Sequence, residues 1–184
     1  MESKRINKLM LKYIELANLK GNILEDAKKM TQEELNFKPS EKEWSFSQVI
    51  SHIIESETGT NKYVNKKIKD QNNLPKSGIR NYIASKALDY NMKSNRKFKT
   101  PKVLSEPINE TSFIELKTKW DKSRSFLIET VENFPTDKLN KSIFKHPVAG
   151  NLNILQTLSF MTNHLKHHVH QLESIKLKLS KKSK

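Results

Sequence analysis

Four of the chain's six histidines fall in the stretch "NHLKHHVHQLE", Asn163–Glu173. Such a cluster can be a metal site, a basic surface for an acidic partner, or a polar run on a solvated helix. Spacing separates these readings. On a helical wheel, at roughly 100° per residue, Ile154, Leu158, Met161, Leu165, Leu172 and Ile175 trace one apolar stripe. His168 falls inside that stripe and His164 beside it, whereas His167 lies at its edge and His170 points roughly the other way. His164 and His168 are therefore an i,i+4 pair on the buried side, with Cβ atoms about 5–6 Å apart. Two imidazoles so placed can reach one ion at about 2.0–2.1 Å. One inward histidine reads as a satisfied core residue. Two on one turn must each find partners for both ring nitrogens, and a shared metal meets half that demand. Leu165, Lys166 and His167 fill the gap between them. The internal glutamate of a metalloprotease helix is missing, so that chemistry is excluded.

A catalytic metal needs about three protein ligands and an open position. The chain has no cysteine, so thiolate ligands and disulfides are both excluded. Outside the cluster, His52 and His146 remain. His52, in "WSFSQVISHIIESE", shares a wheel sector with Ser45, Val49 and Ser56 on the flank of an apolar face. His146 precedes Pro147 in a loop and reads as a surface or capping residue. Gln171, about 60° from His168, reads either as a hydrogen-bond partner behind that ring or as an exposed polar residue. Glu55 and Glu57 are the acids nearest His52 in sequence; each reads as a proton shuttle or, by preference, as part of an exposed helix face. Trp44 and Trp120 read as core or seam residues.

These side chains must be positioned by helices. Apolar residues recur at spacings of three and four over about 4–30, 45–69, 110–133 and 151–179. Thr31–Glu34, "TQEE", has the form of a capping box, and Ser45 can cap the second long helix. "RNYIASKALDYNM" can form a short helix inside the long connection of about 71–110. "HPVAGN" reads as a turn before the fourth helix, and no segment shows convincing β alternation. The expectation is an all-α fold in a single domain, 1–184. It is a four-helix bundle with a long crossover between helices 2 and 3. A connection of that length is usually a functional lid or crossover.

The net charge is +14. Twelve Lys or Arg lie between Lys62 and Lys102 against two acids, and five lysines close the chain from Lys176. The basicity thus sits on the crossover and on a lysine-rich end, about 177–184, expected to fray. The single-strand aromatic pattern and the helix-turn-helix, zinc-finger and RNA-binding motifs are all missing, so nucleic acid is not expected as a partner. No apolar run approaches the roughly 20 residues of a membrane span, and the first residues lack the apolar core of a signal peptide. The expectation is a soluble cytoplasmic protein without a membrane partner.

Two stretches resemble a known family. "LNFKPSEKEWSFSQVISHIIESE" is similar to the first signature of the DinB-like family (the DinB/YfiT group): a Trp-Ser pair at a helix start, then a histidine two turns on. "HPVAGNLNILQTLSFMTNHLKHHVHQLESI" is similar to its second: a His-Pro loop with glycine, then H-x-x-x-H-x-x-Q-[IL], here His164, His168, Gln171 and Leu172. "RKFKTPKVLSEP" and "FIELKTKWDKSRSFL" resemble the family's crossover and third helix, so the likeness covers nearly the whole chain. It implies a four-helix bundle, often a homodimer. It also implies a divalent metal ion, zinc or nickel, held by three histidines, which map to His52, His164 and His168. The wheel selects the last two independently; the resemblance supplies His52.

Characterised relatives include thiol S-transferases using bacillithiol or mycothiol, and mycothiol-dependent maleylpyruvate isomerases. The resemblance therefore implies a metal-dependent enzyme acting on a small-molecule substrate: a transferase using a low-molecular-weight thiol, or a hydrolase. The competing expectation is a non-enzymatic bundle that binds a metal or an anion.

Overall fold

A computed structural model describes residues 2–70, 74–78, 82–87, 107–147 and 149–182. The long helices are α1 (Glu2–Lys28), α3 (Phe46–Asp70), α4 (Phe113–Glu132) and α5 (Ile154–Lys182), with a short α2 at Gln32–Asn36. Four helix starts carry reciprocal capping. Thr31 pairs with Glu34 and Ser112 with Glu115 in capping boxes. Ser45 and Gln48 exchange backbone–side-chain hydrogen bonds at the start of α3, as Asn153 and Gln156 do at the start of α5. Each such cap contributes about 1 kcal/mol and fixes where its helix begins. The Thr31 and Ser45 caps follow the sequence expectation.

Apolar spacing decides which face each helix buries. Leu9, Leu16 and Ile23 of α1 meet Val49, Ile50 and Ile53 of α3, Leu116 and Leu127 of α4, and Leu158, Leu165 and Leu172 of α5 in one core cluster. Helix directions follow from paired contacts. Glu15–Lys166 and Asp26–Lys176 step together along α1 and α5, so these two run parallel. Thr58–Ser123 and Asn65–Thr130 step together along α3 and α4, which are also parallel. His52 lies level with His164, and Glu43 with Lys178, so α3 and α5 are antiparallel neighbours. The order is up-down-down-up.

Two parallel neighbours cannot be joined by a tight turn, so the chain between α3 and α4 must return along the bundle. Most of the crossover expected over 71–110 lies outside the described residues. Its ends are anchored. Ser77 N–H donates to the Asn140 carbonyl and Ser142 N–H to that of Pro75, while Gln48 Nε2 donates to the Pro107 carbonyl. Residues 82–87 are helical, within the short helix expected there. Among the described residues no helix is long and apolar enough to cross a membrane.

Three expectations need correction. The segment before α5 is a β-hairpin, β1 (Phe144–His146) paired antiparallel with β2 (Gly150–Leu152). Its strands are three residues long, too short for alternation to register, and Gly150 supplies the positive φ of 72° that closes the turn. The lysine-rich end expected to fray from 177 stays helical to Lys182, because Lys178 pairs with Glu43 and Lys182 lies over the Phe37 ring. Glu57 is not on an exposed face. It is 3 % exposed and accepts hydrogen bonds from Arg124 (2.7 Å) and the Trp120 indole (2.9 Å). Burial pushes its carboxyl up, opposed by Arg124 and then by Trp120.

Removing one partner of a buried ion pair strands the other charge. Glu57→Ala is therefore expected to cost about 3–5 kcal/mol in urea unfolding. The paired replacement Glu57→Leu with Arg124→Met should recover most of that loss. Equal destabilisation by single and double variants would show that the pair has no such coupling.

Candidate metal centre

The Ser45–Gln48 cap sets the phase of α3, and two turns later that phase turns His52 toward α5. The Asn153–Gln156 cap does the same for α5 and brings His164 and His168 round to face α3. The three rings meet in the α3–α5 seam. His164 Nε2 lies 3.4 Å from His52 Nε2 and 3.1 Å from His168 Nε2. One ligand atom from each residue falls within 4.8 Å of the others, a grouping that could hold a metal ion. His52 and His168 are buried and His164 is partly buried. His167 is partly buried beside His168 and His170 is exposed, as the wheel implied.

The surroundings hold the rings in place. Trp44 packs on His52 at 5.1 Å between centroids, and Phe160 stacks on His164 at 5.6 Å. Gln171 Oε1 lies 2.8 Å from His168 Nδ1. An amide oxygen only accepts, so Nδ1 carries the proton and His168 Nε2 is left as a bare lone pair turned to the cluster. Of the two sequence readings of Gln171, the structure selects the hydrogen-bond partner.

Electrostatics agree with ligand chemistry. Burial lowers His52 to about 4 and, with His52 nearby, lowers His168 to about 3. His164 is held well below its ordinary value by burial first and then by the neighbouring imidazoles. All three are neutral near pH 7, the form that donates to a metal. Ligand atoms of a tetrahedral ion at about 2.0–2.1 Å stand roughly 3.3 Å apart, close to the two measured separations. Three neutral rings with Nε2 atoms converging, and with Gln171 placed to keep the His168 proton on Nδ1, suit a divalent cation. His52 Nδ1 is buried and finds no hydrogen-bond partner among the described residues.

His146 is not at the surface. It is buried at the end of β1, where Nδ1 accepts from the Ala149 N–H at 3.0 Å, so it does cap the turn. Its ring packs on Phe160 at 4.5 Å, and burial lowers it to about 4. Its apolar neighbours, Phe144 and Phe160, lie on different elements. Sequence spacing carried no signal for that meeting.

Fold and site together define an up-down-down-up helical bundle with a three-histidine group between two antiparallel helices. The chain belongs to the DinB superfamily, whose family model matches residues 18–172. It is also similar to the uncharacterized protein YuaE of Bacillus subtilis (strain 168), with 27 % identity over 156 residues. That alignment covers 85 % of this chain and 91 % of YuaE. No solved structure matches the chain.

Two outcomes are expected. Protein purified without a nickel column should carry about one divalent ion by elemental analysis. His52→Ala, His164→Ala and His168→Ala should each abolish most of that occupancy, and His170→Ala should leave it intact. Gln171→Ala should weaken metal affinity by about 10–100-fold. Equal loss in all the histidine variants would indicate a nonspecific patch.

The second outcome concerns pH. In chelated protein the site histidines titrate below their unfolded value near 6.5, so the unfolded chain binds more protons. Stability present above pH 6.5 should fall as pH drops towards 4. The urea midpoint measured between pH 7.5 and 4.5 reads this, and the decline should be shallower in His168→Ala.

Proposed function

We propose that this protein is a metal-dependent enzyme in which His52, His164 and His168 hold a divalent ion, zinc or nickel. Its reaction is transfer of a small thiol to an electrophile. The observation that carries this reading is the convergence of three neutral imidazole Nε2 atoms in a chain that has no thiol of its own. When bound, the ion supplies Lewis acidity that lowers the pKa of a thiol or water at its open position.

The chain's own groups do the rest. Three neutral ligands leave the full double positive charge uncompensated, which favours an anionic fourth partner. Gln171 holds the proton of His168 on Nδ1 and so keeps Nε2 available. Trp44 and Phe160 pack on His52 and His164 and limit water around the rings. In the transfer, the cosubstrate's sulfur forms a bond to the electrophilic carbon, the leaving group departs with the bonding pair, and the thiol proton passes to solvent. Hydrolysis is the same arrangement with water in place of the thiol.

The test is conjugation of several low-molecular-weight thiols to monochlorobimane by metal-loaded protein, with and without chelator. Chelator and His168→Ala are both expected to abolish acceleration of at least one thiol. If no thiol is accelerated beyond the His168→Ala background, the transferase reading fails, and hydrolysis or metal binding without catalysis takes its place.

A further inference from the structure

The four capped helix starts differ at the third residue after the cap. α2 and α4 carry Glu34 and Glu115 there, whereas α3 and α5, the two helices that bear the histidines, carry Gln48 and Gln156. A carboxylate suits that place better, because it accepts the same hydrogen bond and its charge complements the helix N-terminus. Glutamine offers one thing that glutamate lacks, an amide group that donates.

Both amides are used, and both reach the crossover. Gln48 Oε1 accepts from the Ser45 N–H at 3.0 Å, and its Nε2 donates to the Pro107 carbonyl at 2.8 Å, at the return end of the crossover. Gln156 Oε1 accepts from the Asn153 N–H at 2.8 Å and from the Ser77 hydroxyl at 3.0 Å. Its Nε2 donates to the Ser85 hydroxyl at 3.4 Å, so it holds the outgoing part. The return end is docked further along: Asn109 Nδ2 donates to the Asn36 carbonyl, and Gln32 Nε2 to that of Thr111. Gln48 stands one helical turn before His52 on the same face of α3, and Trp44, which packs on His52, directly precedes the cap. Gln48 is also 3 % exposed. Without the Pro107 carbonyl its Nε2 would be buried with no acceptor. The side chain would then turn from its cap to find one, and the first turn of α3 would loosen where it aims His52.

We infer that Gln48 and Gln156 are positioning residues of the metal centre: each ties one end of the crossover to the start of a ligand-bearing helix, so that docking of 107–111 raises the affinity of the histidine group for a divalent ion. The inference rests on the metal reading of His52, His164 and His168. Coupling of this kind is reciprocal, so the bound ion strengthens the docking in turn.

The test measures zinc affinity by competition with a chromophoric chelator, and the histidine ring resonances of metal-free protein by NMR. Gln48→Glu keeps the cap acceptor and loses the donor. It should weaken zinc binding about tenfold and shift the His52 ring signals but not those of His170. Asn109→Ala loosens the same segment without touching α3 and should act in the same direction, severalfold. Asn65→Ala breaks the bond to Thr130 later in α3 and controls for lost stability; it should leave zinc affinity and the His52 signals unchanged. Unmoved His52 signals in both Gln48→Glu and Asn109→Ala, or an equal loss of affinity in Asn65→Ala, would overturn the positioning role. A wild-type chain that binds no zinc sinks the metal reading instead, and the His52 signals still decide whether docking reaches that ring.

Discussion

Three neutral imidazoles brought Nε2 to Nε2 are a costly thing for a fold to assemble. Each ring leaves water, and His164 Nε2 comes within 3.1 Å of His168 Nε2 and 3.4 Å of His52 Nε2. Much of the bundle serves that arrangement. Antiparallel α3 and α5 must lie side by side with their phases matched to within a fraction of a turn. The reciprocal caps at Ser45–Gln48 and Asn153–Gln156 set those phases. Gln171 then fixes the tautomer of His168, and Trp44 and Phe160 hold the other two rings.

The order of helices follows from the same demand. Pairing α3 with α5 across the seam leaves α4 parallel to α3, and a parallel neighbour requires a long return of the chain. The buried Glu57–Arg124 pair and the Thr58–Ser123 and Asn65–Thr130 bonds pin this parallel seam. Polar groups suit that role because each bond admits only one register, whereas apolar side chains slide more freely. The two seams of α3 thus differ in character: polar pairs against α4, rings against α5.

The match to the DinB superfamily spans residues 18–172, and the likeness to YuaE extends over most of both chains. The hairpin adds what the helices alone lack. It is three residues on each side, yet it carries Phe144 and His146 to Phe160 and so extends the ring contacts beyond the three histidines.

Helical periodicity by itself determined the four long helices, the inward direction of His164 and His168, and the outward direction of His170. A helix repeats its geometry every turn, so local spacing suffices for those. The capping box at Thr31 and the cap at Ser45 were legible because such signals are local. His52 needed family resemblance, since the wheel put it only on the flank of an apolar face. Glu57 looked solvated because its partners, Trp120 and Arg124, lie more than sixty residues away. His146 looked like a loop residue because burial by Phe160 depends on a hairpin too short to show a period. Only the tertiary structure could decide those places. Whether a polar side chain is buried depends on which distant element packs over it, and helix spacing carries no record of that.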